Sequence, residues 1–320
     1  MNEPLPIEVQ PQVRAYAQSV GAPGQRWLDA LPRIVLEVCQ AWMLTRGAPI
    51  AGGSRSYVCQ VTTAEGQPAV LKVALPEAAL TTQMSTLVAA QGRGYVQVLA
   101  HDPAQGALLL EALGAPVQAS SIPDVLSLTA RTLNLVWDLP LDLFPPLQHV
   151  DEHKAAQLFA LVQTLGASHA GPGEEAVIQQ ALDHARTRLH ASEPRRQVVV
   201  HGDAHAGNLL RVERARPGAE TGVVFVDPEG FRCEPEYDLG VAVREWNAHL
   251  LASDDPQGEL RAWCERLAQD TSTDAEAIWE WGFLERVSTG LYLRHHGLPA
   301  LGAPFLATAQ RLRSGNAEQR

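Results

Sequence analysis

One loop carries residues that could do chemistry. It reads His201-Gly-Asp203-Ala-His205-Ala-Gly-Asn208 and lies between two short apolar runs. Polar loops between buried strands are commonly placed for binding or catalysis. Phosphoryl transfer needs a carboxylate that orients and deprotonates the attacking hydroxyl, and an oxygen ligand for magnesium. We therefore predict Asp203 as the base and Asn208 as a magnesium ligand.

A second acidic position follows the apolar pattern Val223-Val-Phe-Val-Asp227. An Asp at the end of a strand projects beyond the last buried residue. Magnesium prefers carboxylate and amide oxygens. The pattern predicts that Asp227 holds magnesium together with Asn208.

The histidines of the loop leave a metal hydrolase as an alternative. His201, Asp203 and His205 satisfy an HxDxH pattern, but such a site needs further His or Asp ligands at suitable spacing. His295 and His296 lie far downstream in a helix-like stretch. We therefore favour phosphoryl transfer over hydrolysis.

Lysine is rare in this chain, with Lys72 and Lys154 against 23 arginines. Lys72 lies inside an apolar run at 69–74, where lysine is unusual. The turn-rich stretch Gly52-Gly-Ser54 precedes it, but no GxxxxGK[ST] phosphate loop is present in the sequence.

The segments that must position these residues are of two kinds. A helical pattern covers 27–46 and another covers 77–90, whereas short strands are predicted at 57–63, 68–73, 96–99 and 107–111. Beyond Gly114 helical periodicity dominates, at 151–170, 175–192, 238–252, 257–270 and 274–296. Short β segments interrupt the helices at 197–200, 209–212 and 223–226. We predict an N-terminal nucleotide-binding lobe over 1–113 and a C-terminal catalytic and substrate-binding lobe over 114–320.

Composition limits the partners. The net charge of −11 argues against nucleic acid, and no apolar run reaches the length of about 20 residues that a membrane span requires. The N-terminus does not resemble a signal peptide, and the four cysteines are scattered, so we expect a cytoplasmic protein, as a monomer or weak dimer. Residues 114–320 carry nearly all the net negative charge, which could attract a cationic substrate.

The order HGDxHxxN, a strand ending in Asp227, and then Tyr237-Asp238-Leu resembles the aminoglycoside phosphotransferases. Stretches beginning at Trp27 and Gly106 are similar to the streptomycin and hydroxyurea phosphotransferase branch. The resemblance implies a protein-kinase-like bilobal α+β fold, with a small antiparallel-sheet N-lobe and a larger, mainly helical C-lobe. It also implies transfer of the γ-phosphate of ATP or GTP, with Mg2+, to a hydroxyl of a streptomycin-like aminoglycoside or related compound.

The resemblance assigns roles in both lobes. In the first lobe, Lys72 would contact the α- and β-phosphates. The loop over the phosphates and the backbone groups at the purine edge would come from Gly52, Gly53, Ser54, Glu111 and Leu113. In the second lobe, Asp203 would be the base, with magnesium on Asn208 and Asp227. His201 and Asp238 would give structural support.

One departure from the family concerns the partner of Lys72. The family pairs this lysine with a glutamate on the following helix, and that position falls on Gln83, which brings no charge. Glu77 is the nearest carboxylate but would need a shifted register. A nucleotide-binding pseudokinase is therefore an alternative, which the intact Asp203, Asn208 and Asp227 oppose. A kinase for an endogenous sugar or amino alcohol is another.

Three acidic residues after the metal segment are candidates for binding a cationic substrate: Glu234, Glu236 and Glu245. Each could equally be a solvated surface acid.

Overall fold

The structure is a computed structural model that describes residues 7–51, 55–75, 78–117 and 121–314. The helices are α1 (Pro11–Ser19), α2 (Ala22–Ala41), α3 (Ala78–Ala90), α4 (Ile122–Val136), α5 (Lys154–His169), α6 (Glu175–His190), α7 (Glu236–Val243), α8 (Asn247–Ala252), α9 (Pro256–Thr271), α10 (Ala275–His295) and α11 (Pro299–Ser314). The strands are β1 (Thr45–Pro49), β2 (Ser56–Thr62), β3 (Pro68–Ala74), β4 (Val98–Asp102), β5 (Ala107–Glu111), β6 (Leu113–Pro116), β7 (Val198–Val200), β8 (Leu209–Val212), β9 (Val223–Phe225) and β10 (Phe231–Cys233). The predicted α+β composition is confirmed.

The chain divides into two compact units. The first comprises Met1–Ala115 and Arg211–Val224, and the second comprises Pro116–Leu210 and Phe225–Arg320. The first boundary lies within two residues of the predicted one. Residues 211–224, which the sequence prediction placed in the C-terminal lobe, belong instead to the first unit.

The first unit contains an antiparallel sheet in the order β1-β2-β3-β5-β4. Helices α1 and α2 pack on one face of it, where Leu31 and Val35 of α2 share a core with Leu71 and Val73 of β3. Side chains of a strand alternate between the two faces of its sheet. Lys72 therefore points to the face opposite the α1–α2 core.

The helix predicted over 27–46 differs from α2 at both ends. It begins at Ala22, and it ends at Ala41 because Met43 adopts a left-handed conformation with φ of 53°. The residues after Met43 form β1, in which Thr45 pairs with Thr62. The apolar spacing could not reveal this change from helix to edge strand.

The second unit is built around α10, whose residues 277–288 are buried on all sides. A helix that is buried on all sides lies in the core of its unit, and the charged residues on it need partners there. Helix α7 crosses it closely, because a Cβ at Gly240 would lie 2.5 Å from the Cβ of Trp281. This contact places the residues of α7 next to those of α10.

The predicted helix at 238–252 is two helices, α7 and α8, separated at residues 244–246. Short strands surround the chemistry-bearing loop as the sequence predicted. Strand β7 precedes the loop and pairs with β10, and a single 3-10 turn (Ala206–Asn208) leads into β8. Among the described residues, no helix is both long and apolar enough to cross a membrane.

Candidate active site

Asp238 of α7 holds the start of the loop. Its carboxylate accepts the backbone N–H of His201 and that of Gly202, each at 2.8 Å, and Nε1–H of Trp137 at 2.9 Å. Burial raises the pKa of Asp238 to about 6, although these three donors favour its ionised form. Asp238 therefore fixes the backbone just before Asp203.

His201 connects the loop with the segment after β9. Its Nδ1 accepts the N–H of Asp203 at 3.1 Å, so the neutral ring carries its proton on Nε2, which donates to the carbonyl of Val226 at 2.9 Å. The ring is fully buried, and burial lowers the pKa of His201 to about 4. A neutral histidine thus holds the residue that precedes Asp227.

Asp203 is surrounded by donors. Oδ1 lies 2.8 Å from Nη2 of Arg244, Oδ2 lies 3.4 Å from Nε2 of His205, and the amide of Asn208 donates to the Asp203 carbonyl at 3.0 Å. Burial acts to raise the pKa of Asp203, but the hydrogen bond with His205 and the charge of Arg244 bring it well below its usual range. The carboxylate is therefore ionised at neutral pH.

The oxygen ligands that magnesium prefers are present at this loop. Because the nitrogen of the Asn208 amide faces Asp203, its oxygen is the atom left for a metal. The backbone of Asn208 accepts the N–H of Val226 at 2.9 Å, which brings Asp227 beside this amide. Asp227 itself has a left-handed backbone with φ of 57°. One carboxylate and one amide oxygen suit a hard cation that keeps part of its water shell.

The alternative metal hydrolase finds no further ligands in the described part of the chain. No group of three or more His, Cys, Asp or Glu residues there is arranged to hold a metal ion. His295 lies against His169, with Nδ1 and Nε2 2.9 Å apart.

The three candidate substrate acids have different surroundings. Glu234 is buried and accepts Nε1–H of Trp281 at 2.7 Å. Glu236 is fully buried and pairs with Arg196. Glu245 is about one-third exposed, and its Oε1 lies 3.5 Å from Nδ1 of His205. Of the three, only Glu245 adjoins the surroundings of Asp203.

The candidate residues of the first unit occupy β3, α3, β5 and β6. Lys72 is buried on β3, Gln83 is half-buried on α3, and Leu113 begins β6. Glu111 ends β5, where its N–H donates to the Gln97 carbonyl at 3.0 Å. The predicted phosphate-covering residues and the alternative lysine partner lie outside the described residues: Gly52, Gly53, Ser54 and Glu77.

Comparison with known proteins identifies the family of this chain. The model of the aminoglycoside/hydroxyurea antibiotic resistance kinase family matches residues 41–297. The chain belongs to this family. It is 27% identical to a streptomycin 6-kinase of Streptomyces glaucescens over 95% of this chain and 96% of that protein. It is also 29% identical to a hydroxyurea phosphotransferase of Kitasatospora aureofaciens, over 68% of this chain and 62% of that protein.

Solved structures confirm the kinase-like fold. Choline kinase LicA of Streptococcus pneumoniae aligns with a TM-score of 0.59 and 13% identity, over 90% of this chain and 99% of that chain. Family and fold together make this kinase a small-molecule phosphotransferase that acts on hydroxyl groups. Kinases of this kind use ATP and a divalent metal in general.

Sequence reasoning gave no role to three residues that are linked to Asp203 in this kinase, directly or through one another. Arg244 contacts Asp203 directly, while Glu285 and Tyr237 contact each other at 2.6 Å. Arg244 did leave a signal in the sequence, because it directly follows the buried helix α7. A charged residue that directly follows the apolar stretch at 239–243 needs a partner.

Proposed function

We propose that this kinase transfers the γ-phosphate of ATP or GTP to a hydroxyl of a streptomycin-like aminoglycoside or a related cationic compound. The observation that carries the proposal is the ionised carboxylate of Asp203 on one hydrogen-bonded loop with Asn208. The similarity to streptomycin 6-kinase along nearly the whole chain supports the choice of acceptor.

In the proposed step, the acceptor hydroxyl donates to Asp203 and attacks the γ-phosphorus. The bond from phosphorus to the bridging oxygen of the nucleoside diphosphate breaks as the new bond to the acceptor oxygen forms, and the hydroxyl proton passes to Asp203. A carboxylate with a depressed pKa is a weak base. Asp203 therefore acts mainly by orienting the hydroxyl, which suits a loose transition state in which the proton leaves late.

Charge neutralisation would come from a metal ion and a lysine. The Asn208 amide oxygen and the Asp227 carboxylate would hold Mg2+, which offsets the charge of the transferring phosphoryl group. Lys72 would bind the α- and β-phosphates, and Gly52, Gly53 and Ser54 would lie over them. Gln83 occupies the position of the family's glutamate, and its pairing with Lys72 stays a prediction.

The purine edge would meet the backbone of Glu111 and Leu113. The N–H of Glu111 already donates to Gln97. We therefore assign the carbonyl of Glu111 to the purine. Discrimination between ATP and GTP would depend on how the base edge presents donors and acceptors to these groups.

A cationic acceptor would meet a carboxylate, that of Glu245, near Asp203. Glu245 is half-buried rather than fully solvated, which strengthens its attraction for an ammonium group. Glu234 and Glu236 already pair with arginines, so we keep only Glu245 in the proposed substrate site. A cytoplasmic location and a monomeric or weakly dimeric state remain expectations from composition.

The test is an ADP- and GDP-release assay with Mg2+, both triphosphates, and a panel of acceptors that includes streptomycin, hydroxyurea and simple amino alcohols. We expect turnover with streptomycin or a close relative. Asp203→Ala should lower kcat by about 100- to 10,000-fold while the nucleotide Kd changes little. Glu234→Gln removes a carboxylate that lies outside the proposed substrate site. This control variant should keep the wild-type acceptor preference.

Each other outcome identifies a different function. Tight nucleotide binding without turnover of any acceptor would indicate a pseudokinase. Turnover of amino alcohols alone would indicate an endogenous metabolite as acceptor. Substantial activity in Asp203→Ala would show that the base is assigned wrongly.

A further inference from the structure

Arg244 lies between two carboxylates. Its Nη2 is 2.8 Å from Oδ1 of Asp203, and its Nη1 is 2.8 Å from Oε2 of Glu285. A guanidinium is planar and rigid, so bonds from both terminal nitrogens fix its orientation. Arg244 is 13% exposed and Glu285 6%, which limits screening by water.

Glu285 is itself fixed in place. It lies on the buried helix α10, and its Oε1 accepts the hydroxyl of Tyr237 at 2.6 Å. Burial raises the pKa of Tyr237 well above its usual value, so the phenol remains a donor. Both oxygens of Glu285 are thereby engaged, and the carboxylate cannot rotate without breaking a bond.

These contacts form a chain that runs from the buried helix α10 to the carboxylate of Asp203. Tyr237 holds Glu285, Glu285 holds Arg244, and Arg244 holds one oxygen of Asp203. The second oxygen of Asp203 faces His205 and Asn208 at the longer distance of 3.4 Å. That oxygen is the one an acceptor hydroxyl can engage most readily.

Stability alone is a weak reason for such an arrangement. Buried ion pairs often contribute little compared with apolar side chains of the same volume, because both charges lose their hydration. The second unit contains a comparable arginine: Arg188 contacts Glu280 at 2.6 Å and Glu234 at 3.5 Å. Arg188 is similarly buried and also lies between two carboxylates, but neither of them is Asp203.

We propose that Arg244 is a positioning residue for phosphoryl transfer, which holds Asp203 so that one oxygen faces the acceptor, and that Glu285 acts through Arg244. This inference rests on the proposed role of Asp203. Without the guanidinium, the Asp203 carboxylate is left with the longer 3.4 Å contacts to His205 and Asn208, which restrain its rotamer less. A displacement of about 1 Å in a reacting group can lower the rate by about 100-fold.

The first test compares Arg244→Met with Arg188→Met in the full-length enzyme, using the best nucleotide and acceptor. Both variants lose a buried arginine between two carboxylates, so both are expected to unfold at lower urea concentrations. Arg244→Met should lower kcat by about 100-fold, with each KM within about threefold of wild type. Arg188→Met should keep kcat within about threefold of wild type.

A milder pair guards against loss of folding. Glu285→Gln and Glu280→Gln remove one charge each from the same helix and keep the side-chain shape. We expect Glu285→Gln to lower kcat about tenfold and Glu280→Gln to leave it unchanged. Equal kcat values for these two variants would overturn the role of Glu285.

The decisive measurement is non-additivity. In an Asp203→Ala background there is no carboxylate to position, so adding Arg244→Met should not lower the residual kcat further. A purely structural Arg244 would lower kcat by the same factor in both backgrounds, and this result would overturn the inference.

The two hypotheses fail in different ways. If Asp203→Ala abolishes transfer but Arg244→Met behaves like Arg188→Met, only the inference is wrong. If Asp203→Ala stays active, or the wild-type enzyme phosphorylates no acceptor, the proposed function is wrong and the inference is wrong with it.

Discussion

The loop holds a neutral histidine, His201, and an ionised aspartate, Asp203, two residues apart. His201 is buried, accepts a hydrogen bond at Nδ1 and donates one from Nε2, so it stays neutral. Asp203 faces Arg244 and stays ionised. The same short loop thus shifts two pKa values downward for different reasons. Desolvation is the cause for the histidine, and positive neighbours are the cause for the aspartate.

The buried His201 predicts a loss of stability in acid. Its pKa is about 4 in the folded protein and 6.5 when unfolded, so between these values the unfolded chain binds more protons. The free energy of unfolding therefore rises with pH across this window, by about 3 kcal/mol in full. The stability advantage of wild type over His201→Gln should be largest above pH 6.5 and should shrink at pH 4.5.

Urea unfolding of both proteins at pH 7.5 and 4.5 measures this difference. Asp238, with its pKa raised to about 6, acts in the opposite direction, because its folded form takes up a proton first as the pH falls. Asp238 is present in both proteins, so the comparison isolates His201. An advantage that is the same at both pH values would contradict the neutral buried histidine.

At the scale of elements, the turn after β9 carries the proposed metal ligand Asp227 on a left-handed backbone. Asp227 has φ of 57°, a left-handed conformation that Asn, Asp and Gly adopt more readily than other residues. An Asp at the end of this strand therefore meets two requirements at once: it provides a carboxylate and it tolerates the turn.

Substitutions of Asp227 separate these requirements. Asp227→Asn and Asp227→Gly should unfold at similar urea concentrations, while Asp227→Ala should be less stable by about 1 kcal/mol because alanine is strained at this φ. All three should lose most of their activity and require more Mg2+, since the carboxylate is gone. Equal stability of the alanine and asparagine variants would show that the left-handed turn costs little.

Local pattern was sufficient to predict the elements around the site. Strands β7, β8 and β9 lie within one residue of their predictions, because apolar runs bounded by polar loops are short-range signals. Helix α2 ended earlier than predicted, because nothing in its spacing signals the left-handed Met43. Partners could not be predicted: Glu234 and Glu236 looked like substrate acids until their contacts with Arg188 and Arg196 were known.

At the scale of the whole molecule, a segment from the second half of the sequence belongs to the first unit. Residues 211–224 follow the catalytic loop in sequence but belong with Met1–Ala115. Sequence order placed them in the second lobe, since no local signal shows which unit a short hairpin joins. Arg216 accounts for this placement through bonds to residues more than 100 positions away.

Arg216 joins three segments of the first unit. Its Nε donates to Oε2 of Glu111 at 2.9 Å, Nη1 donates to the Gly92 carbonyl at 2.7 Å, and Nη2 donates to the Tyr95 carbonyl at 2.8 Å. Glu111 is also the residue whose backbone we assign to the purine edge. The guanidinium therefore fixes the end of β5, on which nucleotide binding would depend.

Arg216→Met should raise the KM for the nucleotide by about tenfold, because it removes the charged partner of the partly buried Glu111 carboxylate and leaves the end of β5 held by bonds to Gln97. The KM for the acceptor should change little, because Arg216 contacts none of the residues around Asp203 in the described part of the chain. Arg214→Met is the matched control, since Arg214 lies on the same hairpin and donates to Gln67 at 3.0 Å in an exposed bond. Steady-state kinetics with each substrate varied in turn distinguishes the two variants. If Arg216→Met were less stable but bound nucleotide normally, Arg216 would hold the hairpin without positioning the purine edge.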